Sequence, residues 1–111
     1  MDAEMIQMLY MADIFKILGD RTRLMILALL HVDTFCVRDL VNILQVSQPS
    51  VSQHLAKLRM HGFVKENRKG PWVFYSINED CEPIIKTVLQ HLPNVEHLIK
   101  DRVGDKVMVN C

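Results

Sequence analysis

The polar side chains best suited to recognising a ligand lie close together in residues 48–57. They comprise two glutamines, two serines, a histidine and a lysine: Gln48, Ser50, Ser52, Gln53, His54 and Lys57. Glutamine pairs well with adenine, serine can bond several bases, and lysine reaches guanine or a phosphate. Because this segment contains no acidic residue, nothing in it repels a phosphate backbone. The composition predicts a surface that reads double-stranded DNA, although a solvated helix face without a ligand would have a similar composition.

Basic side chains are concentrated around the same segment. The formal net charge of the 111-residue chain is zero, but residues 48–75 contain a single acid, Glu66. The basic residues of this segment are Lys57, Arg59, Lys65, Arg68 and Lys69. A localised basic segment on a neutral protein is a candidate phosphate-binding surface. A chance cluster of surface charges is the alternative.

Two short helices are predicted to position these residues. Ser47 is a good N-cap for a helix over residues 48–60. Pro49 falls in the first turn of that helix, where its missing N–H costs nothing. The buried face is predicted from apolar residues spaced by four and three: Val51, Leu55 and Leu58. A preceding helix over residues 37–44 and a turn at residues 45–46 complete a helix-turn-helix.

A β-hairpin with a basic tip is predicted to follow the helix-turn-helix. Residues 63–66 and 72–77 alternate apolar and polar side chains and are rich in β-forming residues. The polar turn between them contains a glycine and a proline at residues 70–71. Arg68 and Lys69 lie at this tip and are expected to contact DNA about one groove away from the helix.

Three further helices complete the predicted fold, over residues 2–18, 21–31 and 80–92. The first and the last are apolar on more than one face, so one face is expected to serve the core and the other a partner. The result is a mainly α winged helix-turn-helix with the order α-α-α-α-β-β-α. Residues 1–99 are expected to form a single domain and residues 100–111 a polar tail.

Length and composition restrict the class of protein. The longest apolar run, residues 24–30, is too short to cross a bilayer. Asp2 and Glu4 stand where a signal peptide carries basic residues, so the protein is expected to be soluble and cytoplasmic. Ser52 and His54 do not share a helix face. Since the sequence also contains no phosphate-binding glycine loop and no helical His–Glu metal motif, an enzyme is not expected.

Three stretches of the sequence resemble the ArsR/SmtB family of repressors. They are FKILGDRTRLMILALL (residues 15–30), CVRDLVNILQVSQPSVSQHLAKLRMHGFV (residues 36–64) and RKGPWVFYSI (residues 68–77). The resemblance implies a homodimer formed by the first and last helices. It also implies a double-stranded operator with two inverted half-sites, bound in the major groove. Members of the family repress transcription and release DNA when a metal, a metalloid or an oxidant binds.

The resemblance accounts for only part of a thiol effector site. Cys36 matches the first thiol of the arsenite-sensing and heavy-metal-sensing members, but Arg38 stands in place of the second. Arsenite and soft divalent ions prefer about three thiolates. Cys81 or Cys111 of a partner chain would have to complete such a site. Asp39, which follows Arg38, is expected to face solvent, as is Arg38 itself.

Two other effector sites remain open at this point. The zinc-sensing members place paired ligands near both ends of the last helix, where His91 matches but Asn78 and Asn94 are poor zinc ligands. A redox switch between Cys36 and Cys81 is the other option. No cofactor is certain, and a metal or metalloid effector is one expectation. The alternative is a winged-helix regulator without a small effector, controlled by or acting through protein–protein interaction.

Overall fold

The computed structural model describes residues 1–103, and the side chains of residues 1–101. In chain order its elements are α1 Ala3–Leu18, α2 Arg21–Val32, α3 Val37–Leu44, α4 Gln48–Met60, β1 Val64–Lys69, β2 Trp72–Ile77, α5 Pro83–His91 and α6 Glu96–Val103. The predicted winged helix-turn-helix is confirmed. Among the described residues, no helix combines the length and the apolarity that crossing a membrane requires.

Short polar side chains begin three of the four N-terminal helices. The side-chain oxygen of Asp2 accepts a hydrogen bond from the N–H of Met5 at 2.8 Å, at the start of α1. Asp20 does the same for α2, and Ser47 does so for α4. Each cap satisfies an N–H group that has no partner within its helix. The predicted starts of α2 and α4 are therefore confirmed.

The core of the domain is centred on α2. Ile26, Leu27 and Leu29 are fully buried, and α2 packs against α1, α4, α5 and β2. The apolar residues predicted for the buried face of α4 are also buried, which confirms that prediction: Val51, Leu55 and Leu58. The recognition helix, as we call α4, is thus held to the core along one face.

The wing, which we define as the β1–β2 hairpin of residues 64–77, is antiparallel. Its register runs from Val64 opposite Ile77 to Lys69 opposite Trp72. A separate β-bridge ties the wing to the loop before α3. Phe35 and Tyr75 exchange backbone hydrogen bonds of 3.1 and 2.8 Å there. The wing is therefore attached to the start of the helix-turn-helix as well as to its end.

The C-terminal region contains one helix more than predicted. The side chain of Asn94 accepts a hydrogen bond from the N–H of Glu96 at 2.9 Å, at the start of α6. Val95 and Ile99 are buried, and α6 packs against α3. The five-helix count is wrong because so short an apolar pattern gains its helical stability from packing. The domain boundary between residues 99 and 100 stays a prediction, although α6 continues across it.

Asp39 is also placed differently from the prediction. It was expected to face solvent, but it is only 1% exposed, whereas Arg38 is exposed as expected. The reason is that α3 is contacted by α2, α4, α6 and β2, and is covered on more sides than a helix-turn-helix alone would cover it.

Candidate nucleic-acid interface

A tight turn sets the angle between α3 and the recognition helix. Gln45, which ends α3, adopts a left-handed conformation with φ of 58°, and its N–H bonds to the carbonyl of Val41 at 2.8 Å. Ser47 then caps α4, accepting a hydrogen bond from the N–H of Ser50 at 3.2 Å. The left-handed residue ends α3, and α4 begins three residues later at Gln48. The polar face of α4 consequently projects from the domain.

Five of the six polar residues predicted on α4 lie on or beside its solvent-facing side. Gln48, Gln53 and Lys57 are exposed, and Ser50 and Ser52 are half-buried. The side-chain amide of Gln48 donates to the hydroxyl of Ser52 at 3.4 Å, which is a weak contact. Donors and acceptors on this face are therefore available for exchange with base edges or phosphates.

His54, the sixth of these residues, is directed elsewhere. Its side chain is 20% exposed. Its Nδ1 lies 3.1 Å from Nη1 of Arg23, and its Nε2 lies 4.0 Å from Oδ1 of Asp20. The spacing in the sequence indicates this placement. His54 lies three residues after Val51 and four before Leu58, so it is beside the buried face of α4. The structure thus brings the ring against the start of α2.

The tip of the wing carries the predicted basic pair. Arg68 and Lys69 are both exposed, and a two-residue turn with Gly70 at φ of 63° follows them. Trp72 was not among the predicted DNA contacts; it is 47% exposed and lies opposite Lys69 in the hairpin. An exposed indole beside two cations adds apolar and aromatic contact area to the tip.

An acidic residue joins the wing to the recognition helix. Glu66 accepts a hydrogen bond from the hydroxyl of Tyr75 at 2.8 Å and forms an ion pair with Arg59 of α4 at 3.2 Å. Burial, followed by the hydrogen bond to Glu66, raises the pKa of Tyr75. The only acid of the basic segment is therefore engaged in positioning the wing and does not face the DNA as an unpaired charge.

The predicted effector residues that the structure describes lie in several elements. Cys36 is buried at the start of α3, and Cys81 is buried just before α5. Burial raises the pKa of the Cys81 thiol, which lowers its reactivity. Cys111 lies outside the described residues. His91 is exposed at the end of α5, where its Nδ1 contacts the carbonyl oxygen of Thr87 at 2.8 Å.

The described part of the chain contains no group of three or more histidine, cysteine or acidic side chains that could hold a metal ion. Asn78, at a position where the zinc-sensing members supply a ligand, has a structural role. Its amide donates to the carbonyl of Gly62 at 2.9 Å, and its oxygen accepts from the N–H of Asp80 at 3.1 Å. Within one protomer, the donors that the structure describes do not form a set that fits a metal ion.

A capped helix with a polar outer face, followed by a wing with a basic tip, defines a winged helix-turn-helix DNA-binding protein. Residues 20–66 match the sequence model of the bacterial regulatory proteins of the arsR family. Relatives and solved structures of known proteins extend this match over most of the chain. The chain belongs to the arsR family and is a DNA-binding transcriptional regulator.

Two curated relatives and one solved structure illustrate the similarity. An uncharacterised helix-turn-helix transcriptional regulator of Methanocaldococcus jannaschii is 46% identical over 69% of this chain and 89% of its own length. The arsenic resistance transcriptional regulator ArsR2 of Pseudomonas putida is 38% identical over 70% of this chain and 69% of its own. Reduced HlyU from Vibrio cholerae superimposes with a TM-score of 0.68 and 31% identity, covering 80% of this chain and 92% of that one.

Proposed function

We propose that this protein is a homodimeric repressor that binds a double-stranded operator with two inverted half-sites. The recognition helix enters the major groove, and the wing contacts the backbone beside it. The observation that carries the proposal is the solvent-facing surface formed by Gln48, Gln53 and Lys57 with Arg68 and Lys69. The only acid of this basic segment, Glu66, is paired within the protein. Such a surface suits a phosphate backbone flanking readable bases.

The exposed face of α1 supports a dimer. Five large apolar side chains of α1 are between 53% and 68% exposed: Met5, Ile6, Met8, Leu9 and Phe15. Contiguous apolar surface of this kind marks an interaction site. A second copy related by a two-fold axis would cover this face with the same face, and it would place two recognition helices against two half-sites.

Regulation is proposed to act through Cys36. The name of the Pseudomonas relative refers to arsenic resistance, and the Vibrio structure is of HlyU in a reduced state. The donors described in residues 1–101 of one protomer do not fit a metal ion, and no metal-dependent step is part of this proposal. Cys36 begins α3, and the adjacent Phe35 is bonded to Tyr75 of the wing. A chemical change at the sulfur of Cys36 would therefore act on both DNA-contacting elements, and operator release is the expected result.

Charge reversal tests the DNA-binding surface. We expect Lys57→Glu and Arg68→Glu each to weaken operator binding by at least about tenfold, since each turns a phosphate attraction into a repulsion. The measurement is fluorescence anisotropy with DNA from upstream of the protein's own gene, at fixed salt. Lys100→Glu on α6 is the control with the same charge change, and thermal unfolding verifies the fold. Unchanged affinity in both variants would show that this surface does not bind DNA.

The same assay separates the candidate regulators. Arsenite, zinc, cadmium and peroxide are added one at a time to the wild-type complex and to Cys36→Ser. We expect one addition to release DNA from the wild type only. Binding that is indifferent to every addition would remove the metal and thiol hypotheses. No binding by the wild type would favour the protein-interaction alternative.

A further inference from the structure

Three side chains form a junction between the recognition helix and the start of α2. Asp20 caps α2, accepting a hydrogen bond from the N–H of Arg23 at 3.0 Å. The Arg23 side chain donates from Nε to the carbonyl of Ile17 at 2.6 Å and lies 3.1 Å from Nδ1 of His54. One guanidinium therefore links the last turn of α1, the first turn of α2 and the middle of α4.

The contact with Arg23 determines which ring nitrogen of His54 carries the proton. A guanidinium has only donors, so Nδ1 of His54 must accept the hydrogen bond, and the ring proton lies on Nε2. That proton faces Asp20, whose Oδ1 is 4.0 Å away. Both ring nitrogens are thus directed at α2, and neither is directed at the surface that carries Gln53 and Lys57.

We infer that His54 is a positioning residue for operator binding and does not itself contact DNA. Through Arg23 it fixes the angle of the recognition helix relative to α1 and α2. Because α1 carries the exposed apolar face proposed for dimerisation, the same link relates the dimer interface to the two recognition helices. This inference rests on the proposed function, since its effect is read as operator affinity.

A double-mutant cycle tests the inference. We expect His54→Ala to weaken operator binding about tenfold, the size of one hydrogen bond to a charged group. Arg23→Met, which keeps the aliphatic stem, is expected to cause a similar loss. If His54 acts through Arg23, the double variant binds no more weakly than either single variant. Losses that multiply would indicate an independent DNA contact by His54 and would overturn the inference, as would an unchanged affinity of His54→Ala.

A conservative variant distinguishes positioning from a general loss of stability. His54→Asn presents an amide oxygen near the place of Nδ1, and we expect it to recover most of the lost affinity. His31→Ala, at the exposed opposite end of α2, is the control and should bind as the wild type does. Failure of the asparagine to recover binding, in a variant that unfolds at the wild-type temperature, would contradict the assigned role.

A measurement without DNA keeps the inference separate from the proposed function. In protein with ¹⁵N-labelled histidine, Nδ1 of His54 should resonate as the unprotonated nitrogen and Nε2 as the protonated one. Arg23→Met should shift the Nδ1 signal, while His31→Ala should not. A proton on Nδ1 in the neutral ring would exclude the Arg23 hydrogen bond, whatever the outcome of the binding experiments. If the wild-type protein does not bind the operator, the proposed function is rejected, while the NMR result still tests the His54–Arg23 contact.

Discussion

At the scale of single residues, polar side chains on α4 have different surroundings. Gln53 and Lys57 are exposed, whereas His54 contacts Arg23. The sequence predicted all three as DNA contacts because polar character alone does not reveal which helix faces its neighbours cover. The spacing of His54 from Val51 and Leu58 does reveal it, once both are known to be buried. Position relative to the buried face therefore carried more information here than residue type.

Asp20 provides a pH-dependent test at this scale. The hydrogen bond from the N–H of Arg23 lowers the pKa of its carboxyl, burial opposes this, and the charge of the Arg23 guanidinium adds to the lowering. Because the pKa is lowered in the folded protein, the Asp20 carboxylate contributes its full stabilisation of the fold above the ordinary aspartate pKa of about 3.9. It is lost as the pH falls through the folded-state pKa. The free energy of unfolding is therefore expected to decrease below about pH 4 in part because of Asp20.

Replacing the cap isolates this contribution. We expect Asp20→Ala to lower the free energy of unfolding at neutral pH by about 1 kcal/mol, as for other N-cap deletions. The loss should shrink in acid, because protonation weakens the same cap in the wild type. Urea unfolding from pH 3 to 7 measures this, with exposed Asp80→Asn as the control. An equal loss at every pH would show that the charge of Asp20 is irrelevant.

At the scale of elements, the recognition helix and the wing form one unit. Glu66 is bonded to Arg59 of α4 and to Tyr75 of β2, and Tyr75 is also paired with Phe35 before α3. These contacts relate the tip of the wing to both helices of the helix-turn-helix. We infer that they preserve the distance between the basic tip and α4 that a DNA duplex requires.

Glu66→Ala tests whether these contacts matter for DNA binding, because a pure charge effect and the loss of the contacts would change the affinity in opposite directions. Removing an acid near the DNA would strengthen binding if only net charge mattered. We expect instead that affinity falls about threefold to tenfold, because the wing loses two contacts of about 1 kcal/mol each. The measurement is anisotropy at fixed salt. Glu79→Gln, which removes an exposed acid just after the wing, is the control. Tighter binding by Glu66→Ala would refute the positioning role of Glu66.

The elements were largely predictable from the sequence, and the exceptions have a physical reason. Ser47 and Asp20 mark helix starts through local hydrogen bonds, which any sequence analysis can detect. α6 was missed because its few apolar residues become a helix only when packed against α3. The burial of Asp39 was missed for a similar reason, since it depends on contacts between elements distant in sequence. Features that depend on local hydrogen bonds could be predicted from the sequence, whereas features that depend on contacts between distant elements could not.

At the scale of the whole molecule, the exposed apolar face of α1 predicts a dimer. Phe15 is more than half exposed on this face. We expect Phe15→Glu to produce a monomer and to weaken operator binding about 100-fold or more, because the two recognition helices no longer bind as one unit. Sedimentation equilibrium measures the mass. Val32→Glu at the end of α2 is the matched control. A wild-type mass of 12.9 kDa at micromolar concentration would contradict the dimer.

The central claim is that α4 and the wing together read a DNA sequence. The most direct test titrates the wild-type protein against DNA from upstream of its own gene and against a shuffled duplex of the same length and composition. We predict that the native duplex binds about 1,000-fold more tightly or better, and that both affinities fall steeply with salt. Equal affinity for the two duplexes, or no binding to either, would contradict the account.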